Sequence, residues 1–155
     1  MKFFRNMYQK SKEQKGFTLV EMIVVLVIIA ILAAITIPAL LKYIDKAKEK
    51  QVVIDARTAY LAAETAASEA YAANMTNIAG KTLTFTNASN DKTDDPAKFC
   101  KNANELTGLS SYSCTVTIDA NWKITKVVFE SKDSKGTVVK TAELDVTSGS
   151  DWTVK

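Results

Sequence analysis

The 155-residue sequence contains no histidine. That removes the commonest metal ligand and the side chain most used for proton transfer near neutral pH. Cysteine is scarce as well: Cys100 and Cys114 are the only two, too few to hold zinc without histidine. No nucleophile–base pair, phosphate-binding loop or paired carboxylate setting stands out. An enzyme is therefore not expected, nor a cofactor or a metal. Charge is absent from the twenty residues between Glu21 and Lys42. The net charge of +3 is unevenly placed: the first sixteen residues hold five bases and one acid, a net of +4, which leaves −1 for the remainder. A near-neutral remainder gives no argument for nucleic-acid binding.

What is present begins with a polarised start. Lys2, Arg5, Lys10, Lys12 and Lys15 fall in residues 1–16, which show no apolar periodicity. A basic stretch beside an apolar run stays on the cytoplasmic side and sets orientation. Residues 17–41 are rich in Ile, Val, Leu and Ala. As a helix at ~1.5 Å per residue they exceed the ~30 Å hydrocarbon core of a bilayer. A secretory signal would be cut beyond its apolar region at a small-x-small site. Ala30, Ala33 and Ala34 are instead embedded in a run that continues to Leu41, which makes a signal peptide the poorer alternative. Pro38 is expected to kink the helix, with Thr36 serving the carbonyl it frees. Glu21 stands alone as an acid: at mid-bilayer it would cost ~2.5–3.5 kcal/mol, less near an interface. Either a partner offsets that cost or Glu21 lies at headgroup level.

Beyond Leu41 strong helix formers continue, and a stripe of Val53, Ala56, Tyr60, Ala63, Ala67, Ala70 and Tyr71 recurs at helical spacing. This predicts one helix over about 17–77, approaching ~90 Å, with Gly80 as terminator. Residues 81–111 read as a connecting loop holding a possible short strand at 82–86. A short helix there has Asp95 at its N-cap, Pro96 in its first turn and Gly108 at its end. From 112 the period changes to two, predicting a three- to four-stranded antiparallel meander over 112–155 with a bulge near Val127-Val128-Phe129. Its apolar face needs the helix stripe as cover. Asp91, Asp94 and Asp95 read as a solvated acidic loop rather than a calcium site. Lys42, Lys46, Lys48 and Lys50 read as a solvated collar. Asn74-Met75-Thr76 and Asn87-Ala88-Ser89 match a glycosylation pattern that is frequent by chance. The two cysteines enclose thirteen residues. In an oxidising compartment a Cys100–Cys114 disulfide is expected, contributing ~3 kcal/mol; two buried free thiols are the alternative.

Gly16-Phe17-Thr18-Leu19-Val20-Glu21, after Lys15 and before the apolar block, resembles the processing site of the type IV prepilin and pseudopilin family. The resemblance covers about residues 15–41 and is architectural beyond. It implies an α+β, pilin-like fold: a cleaved leader (1–16), a hydrophobic membrane and filament-core helix (17–41), and a soluble head (42–155) in which the helix packs by its C-terminal half on the sheet. It implies that a prepilin peptidase cuts between Gly16 and Phe17 and methylates the new amine of Phe17. It also implies that Glu21 meets the Phe17 amine of a neighbouring subunit during assembly, and that Pro38 marks where the helix can unwind. Where many members carry a mid-segment glycine, this chain has Ala30. The function implied is that of a structural subunit, held in the cytoplasmic membrane by a single pass and then polymerised into a surface filament for adhesion, motility or DNA uptake. Its partners would be the peptidase, the membrane, copies of itself and other pilin-like subunits, and an assembly platform with its ATPase. The extended loop and the cysteine pair favour a pilin over a type II secretion pseudopilin. A minor pilin acting as a binding module is a further alternative, and so is a membrane-anchored protein that retains its leader.

Overall fold

The computed structural model describes residues 16–87 and 94–155. Of the leader only Gly16 is included; Asp91 of the acidic loop and Ala88-Ser89 of the second glycosylation pattern also lie outside the described residues. The chain forms two compact units, divided between Ile44 and Asp45. Helix α1 (Leu19–Ala72) supplies the described structure of the first unit apart from residues 16–18 and opens the second. The helix includes a stretch long and apolar enough to cross a membrane, none of it buried within the chain. The large apolar side chains of residues 17–41 are all at least 48% exposed. A surface of that kind in water would be strongly unfavourable, so this part of the helix is built for a surrounding the chain does not itself supply.

Helical geometry continues through Pro38. Proline has no N–H, so the Ala34 carbonyl loses its usual partner. Thr36 does not replace it: its hydroxyl donates to the Leu32 carbonyl at 2.9 Å and lies 3.5 Å from that of Ala33. A helical threonine reaches back three or four residues, and Ala34 is only two before it. The expected rescue of the freed carbonyl is corrected accordingly.

In the second unit α1 presents Val52, Ala56, Ala59, Ala63, Ala66 and Ala70 to the core, flanked by Ala62 and Ala67. This stripe is shifted from the expected one. Tyr60 is only partly buried against the core and Tyr71 is 65% exposed. The sheet brings the bulk, so the helix face that meets it has to be small. The helix also stops earlier than the predicted 77. Asn74 takes a left-handed conformation (φ 52°), and the Met75 N–H donates to the Ala70 carbonyl at 3.0 Å, closing a Schellman end. Asparagine, rather than Gly80, is the terminator.

Five antiparallel strands follow in sequential order: β1 (Thr82–Thr86), β2 (Tyr112–Ile118), β3 (Ile124–Lys132), β4 (Val138–Asp145) and β5 (Thr153–Val154). The segment at 82–86, placed in the connecting loop from sequence, is a member of the sheet. The register aligns Phe85, Cys114, Phe129, Ala142 and Val154 in one row across all five strands. Leu83, Val116, Val127 and Leu144 form the next row. Both rows face the helix stripe and join it in one hydrophobic cluster. Val127 and Phe129 are buried while Val128 is half-buried on the opposite face, so the expected bulge there is absent. The irregularities fall instead between Thr117 and Ile118 and between Ser131 and Lys132. The second of these leaves Val138 44% exposed rather than on the core face. Tyr112 stacks on Phe129 at 5.7 Å and meets Phe85 edge-on at 6.1 Å.

Helix α2 (Asp95–Thr107) packs on β1. Its N-cap is Asp94, one residue before the expected Asp95. Asp95 instead makes a longer-range link. Its Oδ2 accepts the Thr76 N–H at 2.7 Å and the Thr76 hydroxyl at 3.0 Å, tying the chain after α1 to the start of α2. Gly108 ends the helix in a left-handed conformation (φ 60°), as its sequence position implies. Cys100 and Cys114 are free, buried thiols here, not the expected disulfide. The Cys100 thiol donates to the Thr84 carbonyl at 3.5 Å, while Cys114 sits on β2 opposite Phe85. Burial pushes the Cys114 thiol up to about 12 and that of Cys100, with help from Asp94, to about 11.

Candidate functional site

The sequence-derived site residues Gly16, Phe17 and Glu21 lie together at the head of α1, and Pro38 lies further along the same helix. Cys100 and Cys114 belong to the second unit and are not part of this site.

Two features of the head follow from local chemistry. A Cβ built on Gly16 would meet nothing within 4 Å among the described residues. Their packing therefore does not call for a residue without a side chain at that position. Phe17, next to it, is 83% exposed among the described residues.

The second feature is a reciprocal cap. The backbone N–H of Thr18 donates to Glu21 Oε2 at 2.8 Å, and the Thr18 hydroxyl donates to the same oxygen at 2.7 Å. In return the Glu21 N–H donates to the Thr18 hydroxyl oxygen at 3.2 Å. The Thr18 carbonyl accepts the first helical bond, from Met22 N–H, at 3.2 Å. Thr18-Leu19-Val20-Glu21 is thus a capping box, which satisfies donors that a helix start leaves without partners. A carboxylate here also faces the positive end of the helix dipole. Only Oε2 of Glu21 is engaged among the described residues; Oε1 has no hydrogen-bond partner among them. Sequence reasoning gave Glu21 an intermolecular role and Thr18 none. The threonine-to-glutamate spacing just ahead of an apolar run was the signal that would have revealed the cap.

A family model described as the prokaryotic N-terminal methylation motif matches residues 11–37, a span that contains this whole arrangement. The chain is similar to fimbrial protein Q of Moraxella bovis, with 39% identity over 82 residues, which cover 53% of this chain and 46% of the relative. It is also similar to a type IV major alpha-pilin of Moraxella bovis, with 54% identity over 39 residues, 25% of this chain and 24% of the relative. The chain thus matches less than half the length of each of these relatives. No solved structure matches it. The chain carries the methylation segment of prokaryotic pilins and is type IV pilin-like, with one long N-terminal helix and an antiparallel sheet.

Proposed function

We propose that this chain is the precursor of a type IV pilin, cut between Gly16 and Phe17 by a prepilin peptidase and N-methylated on Phe17. The observation that carries the proposal is the match of residues 11–37 to the methylation motif, a span that includes Gly16, where an added Cβ would meet nothing within 4 Å among the described residues. A peptidase that must admit the backbone closely has a use for that missing side chain. After the cut the mature chain is held in the cytoplasmic membrane by its apolar helix, leader side inward, and polymerises by packing those helices side by side. The exposed apolar surface of residues 17–41 supports that reading, because filament packing would cover it. An assembly platform and its ATPase supply subunits and drive, and the heads form the surface of a filament serving adhesion, motility or DNA uptake.

Glu21 has two roles in this reading. Through Oε2 it caps its own helix; through Oε1 it receives the methylated ammonium of Phe17 from a neighbouring subunit and sets axial register. A charge-assisted bond of that kind offsets the cost of a carboxylate among apolar side chains.

Mass spectrometry of the N-terminus tests the proposal. A mature chain beginning at N-methyl-Phe17 is expected. An intact Met1, or a cut after the apolar run, would overturn it.

A further inference from the structure

Trp122 has a backbone conformation at odds with its size. It closes the β2–β3 turn, where Asp119 Oδ1 accepts the N–H groups of Asn121 and Lys123 at 2.8 and 2.9 Å. The Trp122 N–H donates to the Asp119 carbonyl at 3.2 Å, and the Asp119 N–H donates to the Lys123 carbonyl at 2.8 Å. That pattern leaves Trp122 at φ +64°. Glycine takes this left-handed position freely, whereas a bulky side chain is strained there. The ring is half-buried: part of it packs against the core cluster and part is left open to solvent. Strain held at a partly exposed aromatic is a mark of a contact site.

The surroundings of the ring fit that reading. Trp122 borders an open hollow of about 590 Å³ lined also by Ser68, Tyr71 and Asn121. It also borders a second, of about 510 Å³, lined by Tyr60, Glu64 and Lys123. Both share Ala67, Ser68 and Trp122, so the two hollows adjoin, and each is within the ~300–1,000 Å³ range of small-molecule sites. Tyr71, 65% exposed, meets Trp122 edge-on at 5.7 Å, which holds the two rings at a fixed angle. The charges do not suit an ion. Glu64 Oε1 is already taken by the Tyr60 hydroxyl at 2.5 Å, which leaves the hollows without a fully available carboxylate for a cation. Lys123 is the one cation in the lining, too little for a multiply charged anion. What remains is aromatic faces beside hydroxyl and amide groups. A sugar ring presents the complement: polarised C–H bonds on its face for the negative face of an aromatic, and hydroxyls on its rim.

We propose that the hollows around Trp122 bind a neutral oligosaccharide, its rings lying against Trp122 and Tyr71 and its hydroxyls meeting Asn121 and donating to Ser68 Oγ, whose own hydrogen goes to the Glu64 carbonyl at 3.0 Å. The hollows are built wholly from residues of the 45–155 unit, so the proposal stands apart from the processing and assembly reading.

Calorimetric titration of the processed full chain, in a phosphocholine detergent that carries no sugar, tests it with chitotriose, cellotriose and maltotriose. Saturable binding of at least one is expected. Trp122→Gly suits the turn backbone but removes the ring and should weaken that binding by roughly tenfold or more, with Tyr71→Ala acting in the same direction. Thermal melts of both variants show that each is folded. Absence of heat with all three sugars, or binding unchanged in both folded variants, overturns the proposal. Self-association that both variants abolish, without sugar binding, also overturns it and makes the hollows a contact between copies.

Discussion

Thr18 and Glu21 hold each other at the start of α1: two donors of Thr18 converge on one oxygen of Glu21, and the Glu21 N–H returns a bond to the Thr18 hydroxyl. Helix capping and the proposed intermolecular pairing thus fall on one carboxylate, and substitutions can separate them. Glu21→Gln keeps acceptor and donor groups in place and removes the charge. It is expected to leave cleavage and membrane insertion intact while filament yield, measured in sheared surface fractions, falls sharply. Thr18→Ala removes part of the cap but not the charge. It should cost about 1 kcal/mol at the helix start, seen as roughly fivefold faster amide exchange at Met22, whose N–H makes the first helical bond, with filaments still formed. Normal filament yield from Glu21→Gln would sink the pairing role.

The small face of α1 predicts a size limit. Ala56, Ala59 and Ala63 have no exposed surface and lie beneath a sheet face made bulky by Phe85, Tyr112 and Phe129. Ala63→Leu is expected to destabilise the head by about 1–3 kcal/mol through overpacking. Leu61 is 60% exposed on the same helix, and Leu61→Ala is expected to shift stability by less than about 0.5 kcal/mol. Denaturant melts of the two variants make the comparison.

Tyr112 anchors the end of α2 to the sheet through its hydroxyl, which donates to Asn104 Oδ1 at 2.6 Å and lies 3.0 Å from the Thr107 hydroxyl. Tyr112→Phe keeps the ring stack on Phe129 and takes its donor from the half-buried Asn104 Oδ1, while the Thr107 hydroxyl keeps its bonds to the Asn104 carbonyl and the Leu109 N–H. A loss of about 1–3 kcal/mol is expected. A second change, Asn104→Leu, should recover part of it, and a double-mutant cycle reads the coupling.

Acid should weaken the head. Glu143 is held below the ordinary carboxylate value by the hydrogen bond from Lys126 first and by that from Lys155 next, at 2.6 and 3.1 Å. Asp95 is held down chiefly by the Thr76 N–H, and Asp145 chiefly by the Thr147 hydroxyl. A carboxylate with a depressed folded value contributes stability that is present above its unfolded value, 4.5 for Glu and 3.8 for Asp. That contribution is lost as pH falls through the lower folded value. A thermal melt series from pH 6 to pH 2 should therefore drop most steeply below about 4. Glu143→Gln should flatten part of the drop and loosen β5, which Lys155 ties to Glu143.

Alkali should weaken the dithiol form by the opposite route. The Cys100 and Cys114 thiols rise from 9.0 to about 11 and about 12 on burial. Their contribution is complete below pH 9 and is lost as pH climbs toward those folded values, because the unfolded chain releases protons that the folded one retains. Tyr60, raised to about 12 by burial and by Glu64, acts in the same direction. Melting temperatures between pH 8 and pH 11 should fall, and Cys114→Ala should reduce the slope. Both thiols should resist alkylation at pH 8 until the chain is unfolded.

Much of this was legible in the sequence for definite reasons. The methylation motif and the apolar span are linear features: charge order and an unbroken apolar run carry their meaning along the chain. The change from a helical period to a period of two near residue 112 likewise announced helix and sheet. Local turn chemistry was legible at Gly108 and misleading at Asn74, where asparagine takes the left-handed position that glycine was expected to hold. The Thr18–Glu21 cap is equally local, but its glutamate already had an intermolecular role that masked it.

The sequence by itself determined which segment is long and apolar enough to cross a membrane, that a methylation motif stands at its start, and which secondary structures alternate, since each depends on neighbours along the chain. Only the tertiary structure decided that 82–86 is an edge strand, that alanines rather than Tyr60 and Tyr71 line the helix–sheet contact, and that Trp122 is strained beside two open hollows. It likewise decided that Cys100 faces the Thr84 carbonyl while Cys114 lies on the neighbouring strand. Each of those depends on which residues distant in sequence must share one packed volume, and volume is filled by the whole fold rather than by any one segment.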